Sequence, residues 1–124
     1  MNYDNIISCL LNKFGALKKI YKQDEEYYHD LPYLFFEEIA VPYITKNASY
    51  QEKKCFFEFL ENMMNNDEDL QTLGGVAVIE AIYFEYGKKF FSDNIDLFGT
   101  ETINEVNLLI KSYEGNNKGL SVLS

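Results

Sequence analysis

The hydrophobic residues of this chain concentrate in one stretch, Leu70 to Tyr86 (LQTLGGVAVIEAIYFEY). On a helix of about 3.6 residues per turn, Leu73, Ala77 and Phe84 share one face, Val76, Ile79 and Tyr83 a second, and Val78 and Ile82 a third. A helix that is apolar on every side is a buried one, so the pattern predicts a central helix with the others packed around it. A strand through Val76–Ala81 competes, but the run is far longer than a strand and holds no turn signal. Glu80 lies between Leu73, Val76 and Phe84, on a side that should be covered. A buried carboxylate needs a partner, and a Tyr hydroxyl or a Lys from a neighbouring helix is the expected one. Gly74-Gly75 costs about 1 kcal/mol per Gly relative to Ala, which predicts that a neighbouring helix approaches closely there.

The rest of the pattern is also helical. Tyr3, Ile6, Ile7, Leu10, Leu11 and Phe14 form one apolar arc of a first helix, Tyr3 to about Phe14. Gly15 allows a bend, and Leu17, Ile20 and Tyr21 continue as a shorter helix with Lys18, Lys19 and Lys22 outside. The run Asp24-Glu25-Glu26-Tyr27-Tyr28-His29-Asp30 has no apolar stripe and precedes Leu31-Pro32. Proline disfavours helix just before it, so this segment reads as a surface loop or a ragged helix end. A third helix, Tyr33 to Lys46, turns Phe35, Phe36, Ile39, Ala40 and Tyr43 inward. Its internal Pro42 should kink or divide it, at a cost of about 3 kcal/mol in a regular interior.

Ser49-x-x-Glu52 is a capping box and opens the cleanest amphipathic helix, reaching about Asn65. Phe56, Phe57, Phe59, Leu60, Met63 and Met64 face in; Gln51, Lys54, Glu58, Glu61, Asn62 and Asn65 face out. Asp67-Glu68-Asp69 begins the central helix, where acidic residues suit the helix dipole, and the tight connection makes an antiparallel hairpin. Gly87 closes that helix. Lys88 to Phe98 reads as irregular or as one short turn. Thr102-x-x-Glu105 forms a second capping-box pattern, and the last helix is expected to bury Ile103, Val106, Leu109, Ile110 and Tyr113 before Gly115 stops it. The reading is an all-α domain over residues 1–115: a bundle of five to six helices around a central hairpin, with HEAT-like packing as one arrangement. Residues 116–124 form a loose tail that Leu120, Val122 and Leu123 could pin back.

Composition changes this picture in one respect. With 20 Asp and Glu against 11 Lys, no Arg and a net charge of −9, the chain is strongly acidic. Phosphate recognition rests on clustered Lys and Arg, so nucleic acid is excluded as a direct ligand, and anionic membrane surfaces are disfavoured on the same ground. No apolar run approaches the ~20 residues of a membrane span, and the N-terminus has no signal-peptide pattern. A cytoplasmic protein is expected, with Cys9 and Cys55 reduced. Acidity serves solubility or a basic protein partner.

Catalytic chemistry is hard to assemble from these residues. His29 is the one histidine, with Glu26 and Asp30 as its nearest partners and no CxxC or HExxH beside it. Without a second base, a Ser-, Cys- or zinc-based site cannot be built. Glu37, Glu38, Glu58, Glu61, Asp67 and Asp69 could ring a hard cation, but Asp67-x-Asp69 lacks the glycine and closing Glu of an EF-hand, and Glu37 and Glu38 diverge on a helix. The reading is therefore no enzyme, no cofactor and no metal. Asp24, Glu25, Glu26, Tyr27, Tyr28 and Asp30 form the better candidate site: carboxylates attract a basic partner over distance, and tyrosines anchor it at low entropic cost. The same residues also suit a solvated loop whose tyrosines tuck into the core. Asp67, Glu68 and Asp69 are the second candidate surface.

The order DEEYYHD, LPYLFFEEIAVPYI, KKCFFEFLENMM, NNDEDLQ, VAVIEAI, covering roughly Asp24 to Ile82, resembles small, acidic, all-helical bacterial proteins found as immunity proteins beside polymorphic or contact-dependent toxins. Such proteins often carry Trp in the acidic-aromatic stretch, where Tyr27 and Tyr28 stand here. The resemblance implies a cytosolic inhibitor that blocks a toxin's active site or docking, with a basic nuclease toxin as a fitting partner. A general helical interaction module is the second reading, and a carboxylate-metal hydrolase a distant third.

Overall fold

Cap and turn chemistry decides where each helix of the computed structural model begins and ends; the structure describes residues 1–120. A short 3₁₀ turn, Tyr3–Asn5, is closed by reciprocal bonds between Asn2 and Asn5 and leads into α1, Ile6–Leu11. Phe14 lies beyond the end of α1, in extended backbone ahead of α2, Gly15–Gln23, and is buried there. α3 is the four-residue turn Glu25–Tyr28, so the acidic-aromatic stretch is helical at its centre. α4 spans residues 32–46 with Pro32 in its first turn, where a missing N–H costs nothing.

Pro42 neither divides α4 nor sits in a regular run. Residues 36–40 form a widened, π-type turn, and the Val41 N–H reaches back to the Phe36 carbonyl. The proline thus falls where the bond ladder is already shifted, which accommodates its absent donor.

α5, Tyr50–Met64, has the reciprocal Ser49–Glu52 box that the sequence predicts. Its six inner residues, Phe56, Phe57, Phe59, Leu60, Met63 and Met64, are all buried. α6 spans residues 68–86 and is capped by Asp67, whose Oδ1 accepts from the Leu70 N–H at 3.1 Å. Gly87, at φ +70°, ends it in the left-handed region that favours glycine. α7, Lys88–Asp93, and a 3₁₀ turn, Ile95–Leu97, give more order than the sequence predicts for this connection. α8, Thr100–Glu114, is the last of eight helices among the described residues, which hold no strand.

Residues 74–80 of α6 pack against α4, α5 and α8, so the predicted central helix is central. Leu60 and Met64 close on Gly74 so tightly that a Cβ there would lie 2.9 Å from Met64 Sδ. Gly75 has no such need; a Cβ would find only ordinary contact with Glu105.

Three sequence-based expectations fail here, each for a physical reason. Val76 and Phe84 are exposed, although the pattern puts them inside. Residues 74–80 are π-type, and a widened turn slips the phase of every later residue. Phe84 therefore leaves the face of Leu73 and Ala77, which stay fully buried. Tyr113 is likewise exposed, in the last turn of α8. Finally, Thr102-x-x-Glu105 is not a capping box: Thr102 is already inside α8 and is its buried polar residue.

Of the expected loose tail, Leu120 is buried, and its N–H donates to Asn107 Oδ1 at 2.8 Å. Val122 and Leu123, expected to pin it, lie outside the described residues.

Candidate functional site

The 24–30 stretch separates its two tyrosines. On a helical turn neighbours point about 100° apart, so α3 sends Tyr28 into the core and leaves Tyr27 outside, 56% exposed. The two rings meet edge to face with centroids 4.8 Å apart. The Tyr28 hydroxyl donates to Glu38 Oε1 at 2.8 Å. That bond, with burial and the carboxylate charge adding to it, pushes the phenol up to about 12. Tyr28 is thus a core anchor, and Tyr27 is the aromatic group available to a partner. Asp24, Glu25, Glu26 and Asp30 are all exposed around it, and Lys22 to Tyr27 line a shallow polar hollow of about 440 Å³. His29 stays at the surface, 3.0 Å from Asp30 and 2.9 Å from the Glu26 carbonyl oxygen.

The second predicted surface has a structural duty. Asp67 is the N-cap of α6, while Glu68 and Asp69 stand exposed in its first turn. Tyr3 feels this corner: burial first, then Tyr33, then the Asp69 charge raise its phenol. No hydrogen bond or ion pair joins the 24–30 stretch to the 67–69 corner among the described residues.

A third surface escapes the sequence reading altogether. Val76, Glu80 and Phe84 stand at i, i+4 and i+8 on the open side of α6, and α8 runs beside them with Leu108 and Tyr113. Phe84 is 59% exposed, Leu108 63% and Tyr113 58%. Phe84 and Tyr113 meet edge to face at 5.3 Å, and Tyr83 closes the cluster at 5.9 Å from Tyr113. Two hollows flank Glu80. One, of about 310 Å³, is lined by Glu37, Val76, Glu80, Ala81 and Phe84. The other, of about 250 Å³, is lined by residues that include Gly75, Glu80, Glu105 and Leu108.

Glu80 makes no hydrogen bond or ion pair among the described residues, so the expected Tyr or Lys partner is not there. Half-buried on an uncovered face, it keeps access to water and needs none. That carboxylate among apolar neighbours was the one sequence signal that this side of α6 is open.

The carboxylate that does bind deeply is Glu61, assigned by pattern to the outer side of α5. Its oxygens accept from the backbone N–H groups of Glu101, at 3.0 Å, and Thr102, at 2.8 Å, and from the Thr102 hydroxyl at 2.9 Å. It caps α8 from another helix, in place of a local side chain. Burial alone would raise its carboxyl, but the bonds from Thr102, Glu101 and Asn65 outweigh burial and hold it below the ordinary value.

Among the described residues no three His, Cys, Asp or Glu side chains are grouped to hold a metal ion. Cys9 and Cys55 are free and half-buried. No described helix is long and apolar enough to cross a membrane.

No protein-family model, curated protein or solved structure matches this chain. The molecule's own surfaces are carboxylate-rich, with aromatic side chains left in water.

Proposed function

We propose that this chain is a non-enzymatic, immunity-type protein that binds and neutralises a basic cognate toxin in the bacterial cytosol. One observation carries the reading: Tyr27, Phe84 and Tyr113 stay largely in solvent on surfaces whose fixed charge is mostly carboxylate. Aromatic anchors dominate binding hot spots, and surrounding carboxylates steer a cationic partner toward them. A net charge of −9 favours a basic partner; a nuclease toxin fits, because its own substrate demands positive charge. The α5–α6 pair serves as a HEAT-like rigid frame in this reading, and no step of the inhibition needs a cofactor.

The test is affinity capture of the tagged protein from its native cells at low and high salt, followed by calorimetry with the captured species. A single basic partner, bound stoichiometrically and more weakly as salt rises, supports the reading, and co-expression should then abolish that partner's toxicity. Recovery of housekeeping proteins would favour a general interaction module instead.

A further inference from the structure

We propose that the open face of α6 and α8 is a docking groove for a cationic amphipathic helix of the partner, which seats an apolar side chain in the hollow beside Val76 and Phe84 and a cation in the more polar hollow between Glu80 and Glu105. The proposal rests on the basic-partner reading above and adds to it the place of contact and the shape of what binds.

Charge selects the occupant. Glu37 and Glu80 line one hollow, Glu80 and Glu105 the other, and no Lys lines either. Lys88, beside the cluster through Glu114, is already paired with that residue at 3.6 Å, and Glu114 also accepts from the Tyr83 hydroxyl at 2.6 Å. A second copy of this chain fits poorly. A two-fold contact places each patch on its own twin, so two sets of three glutamates would share one contact in a setting of falling dielectric.

Backbone chemistry selects the shape. A segment that adds as a strand needs a sheet edge to pair with, and the described residues contain no strand. A helix satisfies its own backbone groups and asks of the groove only apolar contact and counter-charge. One apolar and one acidic hollow that share Glu80 suit an apolar anchor and a Lys or Arg on successive turns, since residues three and four apart share a helix face.

The probe is a synthetic Leu/Lys amphipathic peptide of about 18 residues, titrated into the full-length ¹⁵N-labelled protein and compared with a Leu/Glu peptide of the same pattern. Amide shifts confined to residues 76–84 and 105–113 are expected from the Leu/Lys peptide alone. Phe84→Ser and Glu80→Lys should each weaken binding at least tenfold while leaving the circular dichroism unchanged, because both side chains reach solvent. No binding overturns the proposal, as do shifts centred on residues 24–30, shifts spread over the whole acidic surface, or equal binding of the Leu/Glu peptide. Self-association of the free protein that Phe84→Ser abolishes would assign the groove to a second copy and also overturn it. The two claims fail separately. A captured basic toxin that ignores Phe84→Ser leaves the immunity reading standing without this groove. A peptide that docks here while no basic toxin is captured leaves the groove without that reading.

Discussion

On the sealed side of α6, Leu73, Ala77 and Val78 are fully buried and Gly74 is pressed by Leu60, Met63 and Met64 of α5. On the other side of the same helix, Val76, Glu80 and Phe84 line one hollow and Glu80 borders a second. Both sides are mainly apolar, and both belong to one uninterrupted rod. What separates them is complementarity: the sealed side has glycine where a partner helix presses in, and the open side has a carboxylate where a cover would have to remove it from water. Burying a Phe is worth about 1.5–3 kcal/mol, and the fold forgoes that at Phe84 while securing it at Phe56, Phe57 and Phe59. Apolar character alone therefore does not say that a surface is closed, whereas a carboxylate set in an apolar row says that it is open.

The comparison can be broken by substitution. The largest effect belongs to the closed core: Phe57→Ala, a fully buried ring of α5 with Phe98 at 4.8 Å, should cost about 3–5 kcal/mol in denaturant unfolding. Next is the cap between helices. Glu61→Ala should cost about 2 kcal/mol by loss of charge-assisted bonds. Gly99→Ala should destabilise as well, because a Cβ there would run into the Glu61 side chain. In a double-mutant cycle the Gly99→Ala penalty should largely vanish on the Glu61→Ala background. Tyr28→Phe should cost about 1.5 kcal/mol through the lost bond to Glu38. The smallest effect belongs to the open side, where Phe84→Ala should change stability by less than about 0.5 kcal/mol while weakening partner binding. A Phe84→Ala loss comparable to Phe57→Ala would erase the distinction between the two sides.

Acidity sharpens the same contrast. The Glu61 carboxyl lies below the ordinary 4.5 in the fold. A depressed carboxyl contributes stability that is fully present above its unfolded value and is lost as pH falls through the folded one. Glu52 adds to this in the same direction, lowered first by the Tyr43 hydroxyl and then by the Ser49 backbone. Melting temperature should therefore drop on the acid side of pH 4.5, and Glu61→Gln should flatten that limb. At the alkaline end, the Tyr28 and Tyr83 phenols are raised from 10.0 to about 12. Their contributions are complete below pH 10 and fade as pH climbs through about 12, which the absorbance of tyrosinate would follow.

What could be read from the residues divides by range. The Ser49–Glu52 box, the Asp67 cap, the Gly87 terminus and the six inner residues of α5 follow from neighbours within one or two turns, and each is in place. The misreadings come from a break in the helical period or from tertiary contact. The helical period assigns Phe84 to the face of Leu73 because it assumes a regular helix, and the widened turn removes that assumption. Thr102 and Glu105 have the spacing of a box, but the donors of α8 are met by Glu61, 41 residues away from Thr102. Tyr27 and Tyr28 are chemically identical neighbours, and only the docking of α3 on α4 sends one inward. Of the candidate surfaces, the two acidic stretches could be found by composition; the α6–α8 groove could not, since Leu108 and Tyr113 join it only in three dimensions.

The Glu61 cap also imposes an order of assembly. α8 begins at a glycine that offers no side-chain bond of its own, so an excised α8 peptide should fray at its first turn and gain helicity only once α5 is in place. Hydrogen exchange should then find the amides of Glu101 and Thr102 protected only to the extent that α5 is docked, with the α5–α6 hairpin opening at a higher free energy. Since α8 forms one wall of the groove, the surface that meets a partner would be the last part of the chain to take shape and the first to dissolve.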